Sequence, residues 1–125
     1  MVYLANPRLK GKVCPSKNIS KDEVIPFDFL EKILAKLEKA GLIKAKKGAK
    51  GGYFLAKSPK NIKVGEIIKT LEGTIAPVFC VAKEENKRFI CPRREICLAK
   101  NLWLKLQRSL TSTLNSITLA DLIKQ

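Results

Sequence analysis

Apolar residues recur at helical spacing in several stretches of the chain, and one of these stretches runs straight into the shorter period of a hairpin. From Pro26 to Ala40, the residues Phe27, Leu30, Ile33, Leu34 and Leu37 form one apolar stripe, while Asp28, Glu31, Lys32, Lys36 and Lys39 fall largely on other faces. That spacing predicts an amphipathic helix with one buried side. Gly41 stands where such a helix should stop. The next residues, Gly41 to Ala56, place two short apolar runs around a tip carrying Lys46, Lys47 and Lys50 among Gly48, Gly51 and Gly52. This reads as a β-hairpin whose glycines permit positive φ and close backbone approach.

The flanking segments are read in the same way. Residues 1–13 hold Pro7, Gly11 and few apolar side chains, and read as a loop after a stub. Pro15 starts a short helix through Ser16 to Glu23 with Ile19 inward. Val24-Ile25-Pro26 then turns the chain, since a residue before proline avoids the helical region. After a turn at Ser58-Pro59-Lys60-Asn61, Val64 to Glu72 predicts another amphipathic helix, with Val64, Ile67, Ile68 and Leu71 inward and Gly73 closing it.

Residues 74–94 include Pro77, Cys80, a charged run from Lys83 to Arg88, Cys91 and Pro92, and read as a loop. A loop of that length is usually functional or disordered. Glu95 to about Ile117 predicts a long helix spanning roughly 35 Å. In it Ala99, Trp103, Leu106, Leu110, Thr113 and Ile117 step by four and three, the seam of a helix pair. Folding back on the same chain is one outcome, and its length favours the other, a homodimer. Trp103 reads as a core or interface anchor. Thr118 to Asp121 has the form of a capping box opening a last short helix through Ile123.

The expected fold class is therefore mainly α with a small β-hairpin wing. A winged helix-turn-helix covers residues 1–73, a cysteine-bearing loop 74–94, and a dimerisation helix with a short final helix 95–125. On periodicity alone the helix from Pro26 is equally a core helix or a recognition helix; the basic hairpin behind it tips the reading toward duplex DNA. The N-terminal residues of a recognition helix lie nearest the base edges of the major groove.

Charge changes the picture in the same direction. The 125 residues carry 25 Lys and Arg against 11 Asp and Glu, a net charge of +14. Such an excess favours a polyanionic partner through counterion release. A small ribosomal or merely solubilising basic protein is the alternative. No apolar run approaches the roughly 20 residues of a spanning helix. Met1 to Leu4 is too short an apolar start for a signal peptide, so no membrane and a cytoplasmic location are expected. The absence of histidine removes Ser-His-Asp and Cys-His catalysis and any His-ligated zinc site supplied by the chain.

Four cysteines in such a protein read as thiols or metal ligands rather than structural disulfides. Cys80, Cys91 and Cys97 cluster, with ten and then five residues between them. They match no common zinc ribbon, and Cys97 falls near the start of the long helix beside Arg93 and Arg94. An iron–sulfur cluster, a zinc ion or no metal are all compatible with that spacing. Cys14 reads as a partly buried thiol.

The run from Ile25 to Leu34, Leu37, Ala40 to Ile43, Gly48 and Gly51 to Tyr53 together resembles the Rrf-type winged helix-turn-helix regulators. The likeness continues through Cys80, Cys91, Cys97, Leu102-Trp103 and Ile117 to Leu122. This bacterial family includes an iron–sulfur cluster regulator, a nitric-oxide-sensitive repressor and a cysteine-metabolism repressor. The resemblance implies a homodimer joined by the long helix, with recognition helices in successive major grooves of double-stranded DNA and wings in the minor groove. It implies DNA-contacting positions at Pro26, Phe27, Asp28, Glu31 and Lys32, and at Lys47, Gly48 and Lys50 in the wing. Lys47 stands where the family usually has arginine, keeping the charge without the planar fork.

The resemblance also implies that Cys80, Cys91 and Cys97 are ligands of a [2Fe-2S] or [4Fe-4S] cluster, with no fourth ligand identified. One branch of the family supplies a histidine three residues after the last cysteine, where this chain has Lys100. Another branch uses an acidic residue near the partner's N-terminus, a segment not present here. The family's first helix is longer, so the chain is expected to begin inside it, leaving apolar surface uncovered and stability marginal. The function expected is a transcriptional regulator, a repressor, modulated by an iron–sulfur cluster or thiol redox state. A cofactor-free regulator under a protein partner's control, and a zinc- or thiol-dependent enzyme, are the alternatives.

Overall fold

The computed structural model describes residues 1–9, 11–77 and 91–124. Along the chain run α1 (Val2–Ala5), a 3-10 turn (Pro7–Leu9), α2 (Ser16–Asp22), α3 (Phe27–Lys39) and the hairpin strands β1 (Ile43–Lys46) and β2 (Gly52–Leu55). A second 3-10 turn (Pro59–Asn61), α4 (Val64–Glu72), α5 (Lys100–Ser116) and α6 (Leu119–Ile123) follow. The helical stripe of α3 supplies the centre of the core through Leu30, Leu34 and Leu37. Around them close Leu4, Ile19, Leu42, Ile43, Ile62 and Leu119, each no more than 7% exposed. Phe27 leaves the predicted stripe. It sits in the first turn of α3, 40% exposed, and Phe29 beside it is 59% exposed.

Two helices end in the same hydrogen-bonded motif. At the end of α3, Gly41 N–H donates to the Glu38 carbonyl (2.9 Å) and Leu42 N–H to the Leu37 carbonyl (3.0 Å). Gly41 has φ +77°, and buried Leu42 and Leu37 supply the apolar contact that accompanies this Schellman arrangement. At the end of α2, Val24 N–H donates to the Lys21 carbonyl (3.4 Å) and Ile25 N–H to the Ser20 carbonyl (3.0 Å). Here the left-handed position is Val24 itself, at φ +53°. A β-branched residue at positive φ is strained. The turn expected from Pro26 is present, and a left-handed valine makes it.

The hairpin pairs Ile43 with Leu55, Lys44 with Phe54, Ala45 with Tyr53 and Lys46 with Gly52. Its second strand is also fastened to the chain before α2. Cys14 N–H donates to the Tyr53 carbonyl (2.9 Å) and Tyr53 N–H to the Cys14 carbonyl (2.8 Å). A Cβ at Gly52 would meet the Cys14 and Pro15 backbone, so only glycine lets these segments approach. Cys14 is fully buried at 4% exposure, more enclosed than its sequence position implied, and burial pushes its thiol pKa up.

The long helix is shorter than its periodicity predicts. It begins at Lys100 rather than Glu95, and its 17 residues span about 25 Å. Residues 91–99 form successive tight turns instead. Arg94 N–H donates to the Cys91 carbonyl, Ile96 N–H to the Arg93 carbonyl and Lys100 N–H to the Cys97 carbonyl, at 3.0 to 3.3 Å. These i to i+3 bonds close separate turns in place of the continuous i to i+4 ladder of a helix. The predicted seam also divides: Leu106 and Leu110 are 40% and 39% exposed, while Trp103 and Ile117 are half-buried. Leu102, absent from that seam, is 61% exposed on the outer side.

At the C-terminal end the capping box is present. The Asp121 N–H donates to Thr118 Oγ1 (3.2 Å), and Asp121 Oδ2 accepts from Thr118 N–H (2.8 Å). An apolar groove of about 350 Å³ opens between α1, α2, α3, α4 and α6, lined by side chains such as Leu4, Ile33, Ile67 and Leu122.

Candidate nucleic-acid interface

Helix α3 and the hairpin place the predicted DNA-contacting residues at the surface. Pro26 caps the helix, with Phe27 and Asp28 following in its first turn. Pro26, Phe27, Asp28, Lys32, Lys47, Gly48 and Lys50 are exposed, and Glu31 is half-buried. The Schellman end of α3 feeds Leu42 and Ile43 into the core, which fixes where β1 leaves the helix and hence where the wing stands.

Between α3, the wing and the start of α2 lies a concavity of about 510 Å³. It brings together Glu31, Lys47 and Gly48 of the predicted set, with Tyr53 at its wall. Pro26, Phe27, Asp28, Lys32 and Lys50 do not line it. Ser16, Lys17 and Lys46 do; none is in the predicted contact set, although Lys46 belongs to the charged tip read from the sequence. Ser16 and Lys17 join through the Cys14–Tyr53 backbone pairing, a contact between distant segments. The Gly51-Gly52-Tyr53 run was the one sequence signal pointing to it.

The electrostatics of this surface are mixed. Burial first, then the charges of Glu31 and Glu38, push the Tyr53 hydroxyl pKa up, so the tyrosine stays a neutral donor. The two carboxylates belong to the helix and the lysines to the wing and α2, which separates an acceptor-bearing face from a cationic rim. Carboxylates accept from cytosine N4 in a major groove, whereas lysines serve phosphates.

Of the three clustered cysteines, Cys80 lies outside the described residues. Cys91 and Cys97 are free thiols, both half-buried, on the successive turns that lead into α5. Among the described residues no three His, Cys, Asp or Glu side chains gather into a metal site. The donor chemistry fits an iron–sulfur group: two reduced soft sulfurs stand close in sequence, with Arg93, Arg94 and Lys100 beside them to offset its negative charge. Among the described residues no helix is long and apolar enough to cross a membrane.

A basic hairpin joined to a helix-turn-helix defines a winged-helix module of the transcription-regulator class. The chain belongs to the Rrf2 family: the family model, described as an iron-dependent transcriptional regulator, matches residues 1–125. It is 40% identical over 108 residues to the protein rrf2 of Nitratidesulfovibrio vulgaris (strain Hildenborough), covering 86% of this chain and 69% of that protein. To the HTH-type transcriptional regulator IscR of Klebsiella pneumoniae (strain 342) it is 34% identical over 109 residues, covering 87% of this chain and 64% of that one. The chain thus spans 64 to 69% of the length of these two curated relatives. Among solved structures, CymR of B. subtilis, described as its global cysteine regulator, superposes with a TM-score of 0.72 at 32% identity, covering 98% of this chain and 86% of CymR. IscR and CymR are both named HTH-type transcriptional regulators, in line with the family's description.

Proposed function

We propose that this chain is a cytoplasmic, DNA-binding transcriptional repressor that acts as a homodimer through α5. The observation that carries the reading is that Glu31 of α3, Lys47 and Gly48 of the wing and Lys17 of α2 line one concavity. Pro26, Phe27, Asp28 and Lys32 extend the reading surface along the first turns of α3, and Lys50 extends the wing. Wing lysines supply phosphate contacts and counterion release, while the helix carboxylates select bases. The outer face of α5, with Leu102, Leu106 and Leu110 exposed, supports pairing with a second copy.

The division of the chain follows that reading: residues 1–73 read DNA, 74–94 carry the sensor and 95–125 join the subunits. Cys80, Cys91 and Cys97 would hold an iron–sulfur cluster, with its fourth ligand from outside this trio. When bound, that group supplies a redox-sensitive charge at the N-terminal end of α5. Cys91 and Cys97 hold their sulfurs at the turns before α5, where a change in their ligation or redox state would bias how α5 sets the spacing of the two reading heads. Leu98, 101% exposed, and Ile96, 70% exposed, favour a second reading in which a protein partner docks on these same turns.

The test combines binding and cofactor analysis. Lys47→Ala and Glu31→Ala each weaken binding to a duplex selected from random sequence by the wild-type protein, by roughly 5- to 100-fold. Lys47→Ala also lowers the salt slope by about 1 per subunit. Unchanged affinity and slope in both variants would remove the assigned interface. Anaerobic preparation with iron and sulfide counts tests the sensor, and a colourless, metal-free protein with oxidant-insensitive DNA affinity would pass control to the partner reading.

A further inference from the structure

Helices α4 and α5 are fastened to each other at one closed end, the apex of the pair. At the closed end Val64 N–H donates to the Ile117 carbonyl (2.9 Å), and Leu119 N–H donates to the Ile62 carbonyl (2.8 Å). Lys63 and Thr118 thereby pair as an antiparallel bridge. Ile62 and Leu119 on either side of it are both 0% exposed. Next to this bridge, in the first turn of α4, stands Gly65, a buried residue. A Cβ placed there would run into the Asn115 carboxamide in the last turn of α5. The two helices therefore touch through a hydrogen atom and one short polar side chain.

Toward the other end a groove lies beside them. Lys69 near the end of α4, and Leu104, Arg108 and Thr111 of α5, face each other across an open groove of about 600 Å³. No residue of α5 is fully buried. The backbone hydrogen bonds at this apex, together with the Gly65–Asn115 contact, constrain the angle of α5 to the rest of the molecule. On its other side α4 packs against α3, so the same apex relates α5 to the reading helix.

We infer that Gly65 and Asn115 are a positioning pair that sets the angle between α5 and α3, and thereby selects the spacing of the two DNA half-sites the dimer prefers. The inference rests on the dimeric, DNA-binding reading above. A larger group at position 65 wedges the apex, and an axis about 25 Å long turns a small wedge into a larger displacement at its far end. Alanine at position 65 collides mainly with the movable Asn115 carboxamide and reaches only ordinary contact with the Asn115 backbone N–H, whereas a leucine carries three further carbons into the same space. The effect should therefore grade with side-chain size.

The experiment uses the full chain and duplexes carrying two copies of the half-site selected by the wild-type protein, with the separation varied in single base-pair steps. Dimer mass by sedimentation, thermal melting and affinity for an isolated half-site are measured beside it. Gly65→Leu is expected to move the preferred separation by at least one base pair, or to lower discrimination between separations about tenfold, while the isolated half-site affinity stays within twofold. Gly65→Ala shifts discrimination by roughly two- to fivefold, and adding Asn115→Ala restores the wild-type profile even if the leucine variant fails to fold. A folded, dimeric Gly65→Leu or Gly65→Ala with the wild-type separation profile would overturn the inference. So would an equal loss at every separation that Asn115→Ala does not rescue. If the wild-type protein itself is monomeric, or shows no separation preference, the dimeric reading fails first, and the variants play no part in that result.

Discussion

The same residue type meets opposite fates in two parts of this molecule. Leu34 and Leu37 of α3, Leu42 after it and Leu119 of α6 are 0 to 3% exposed, whereas Leu102, Leu106 and Leu110 of α5 are 39 to 61% exposed. The first group is enclosed because four helices and the hairpin root converge on it from several directions. The second lies on the outer side of a helix whose inner side faces α4. A helical stripe therefore tells which residues seek burial, and topology decides whether their own chain can provide it. The exposed row of leucines on α5 is the surface on which the proposed pairing with a second copy rests.

Truncating the enclosed group produces the largest effect. Leu37→Ala removes a side chain 2% exposed at the centre of the core, and should lower unfolding free energy by about 2–5 kcal/mol in chemical denaturation. Leu106→Lys breaks the comparison from the other side. The native residue is 40% exposed, so chain folding should change by less than about 1 kcal/mol at low protein concentration. Sedimentation should nevertheless report monomer, and affinity for a two-half-site duplex should fall by more than about tenfold. A dimeric Leu106→Lys protein would show that α5's outer face has another use.

The contrast also separates what could be read from the sequence from what could not. The α3 stripe, the Gly41 stop, the basic hairpin and the Thr118–Asp121 box were legible because each is a local pattern with a local cause. The start of α5 was not, since the 91–99 segment folds into separate tight turns that its composition does not announce. Ser16 and Lys17 joined Glu31 and Lys47 only through the pairing of Cys14 with Tyr53, which no local spacing encodes. Phe27 fits the apolar period, yet it lies in the first turn, where the core has already ended. Val24 was legible as a turn and illegible as a left-handed residue, because valine is among the least suited to that conformation.

Val24 sharpens the comparison by setting one helix end against another. The motif that closes α3 uses Gly41 at φ +77°, and the motif that closes α2 uses Val24 at φ +53° with an 87% exposed side chain. Val24→Gly relieves the strain but loosens the unfolded chain, and the two oppose one another. The net gain expected is about 1 kcal/mol, read as a higher denaturation midpoint with an unchanged slope. Gly41→Val, which imposes the same strain where none exists, should cost about 1–2 kcal/mol. If both substitutions leave the midpoint unchanged, the two ends do not differ in strain.

The smallest effect concerns the box that opens α6 and holds Leu119 in the core. The Asp121 carboxylate accepts from the Thr118 backbone N–H (2.8 Å) and hydroxyl (2.8 Å). The backbone bond first, then the side-chain bond, hold its pKa below the ordinary carboxylate value. A carboxyl that ionises at lower pH when folded stabilises the fold fully above its unfolded pKa. That contribution is lost as pH falls through the folded one. Asp121→Asn keeps an acceptor oxygen but cannot ionise, so its stability should differ from the wild type's near neutral pH and converge with it in acid. Denaturation curves on the two proteins between neutral pH and about pH 3 measure this difference. A constant gap across that range would place the acid sensitivity of the fold on other carboxylates and leave the box a purely geometric cap.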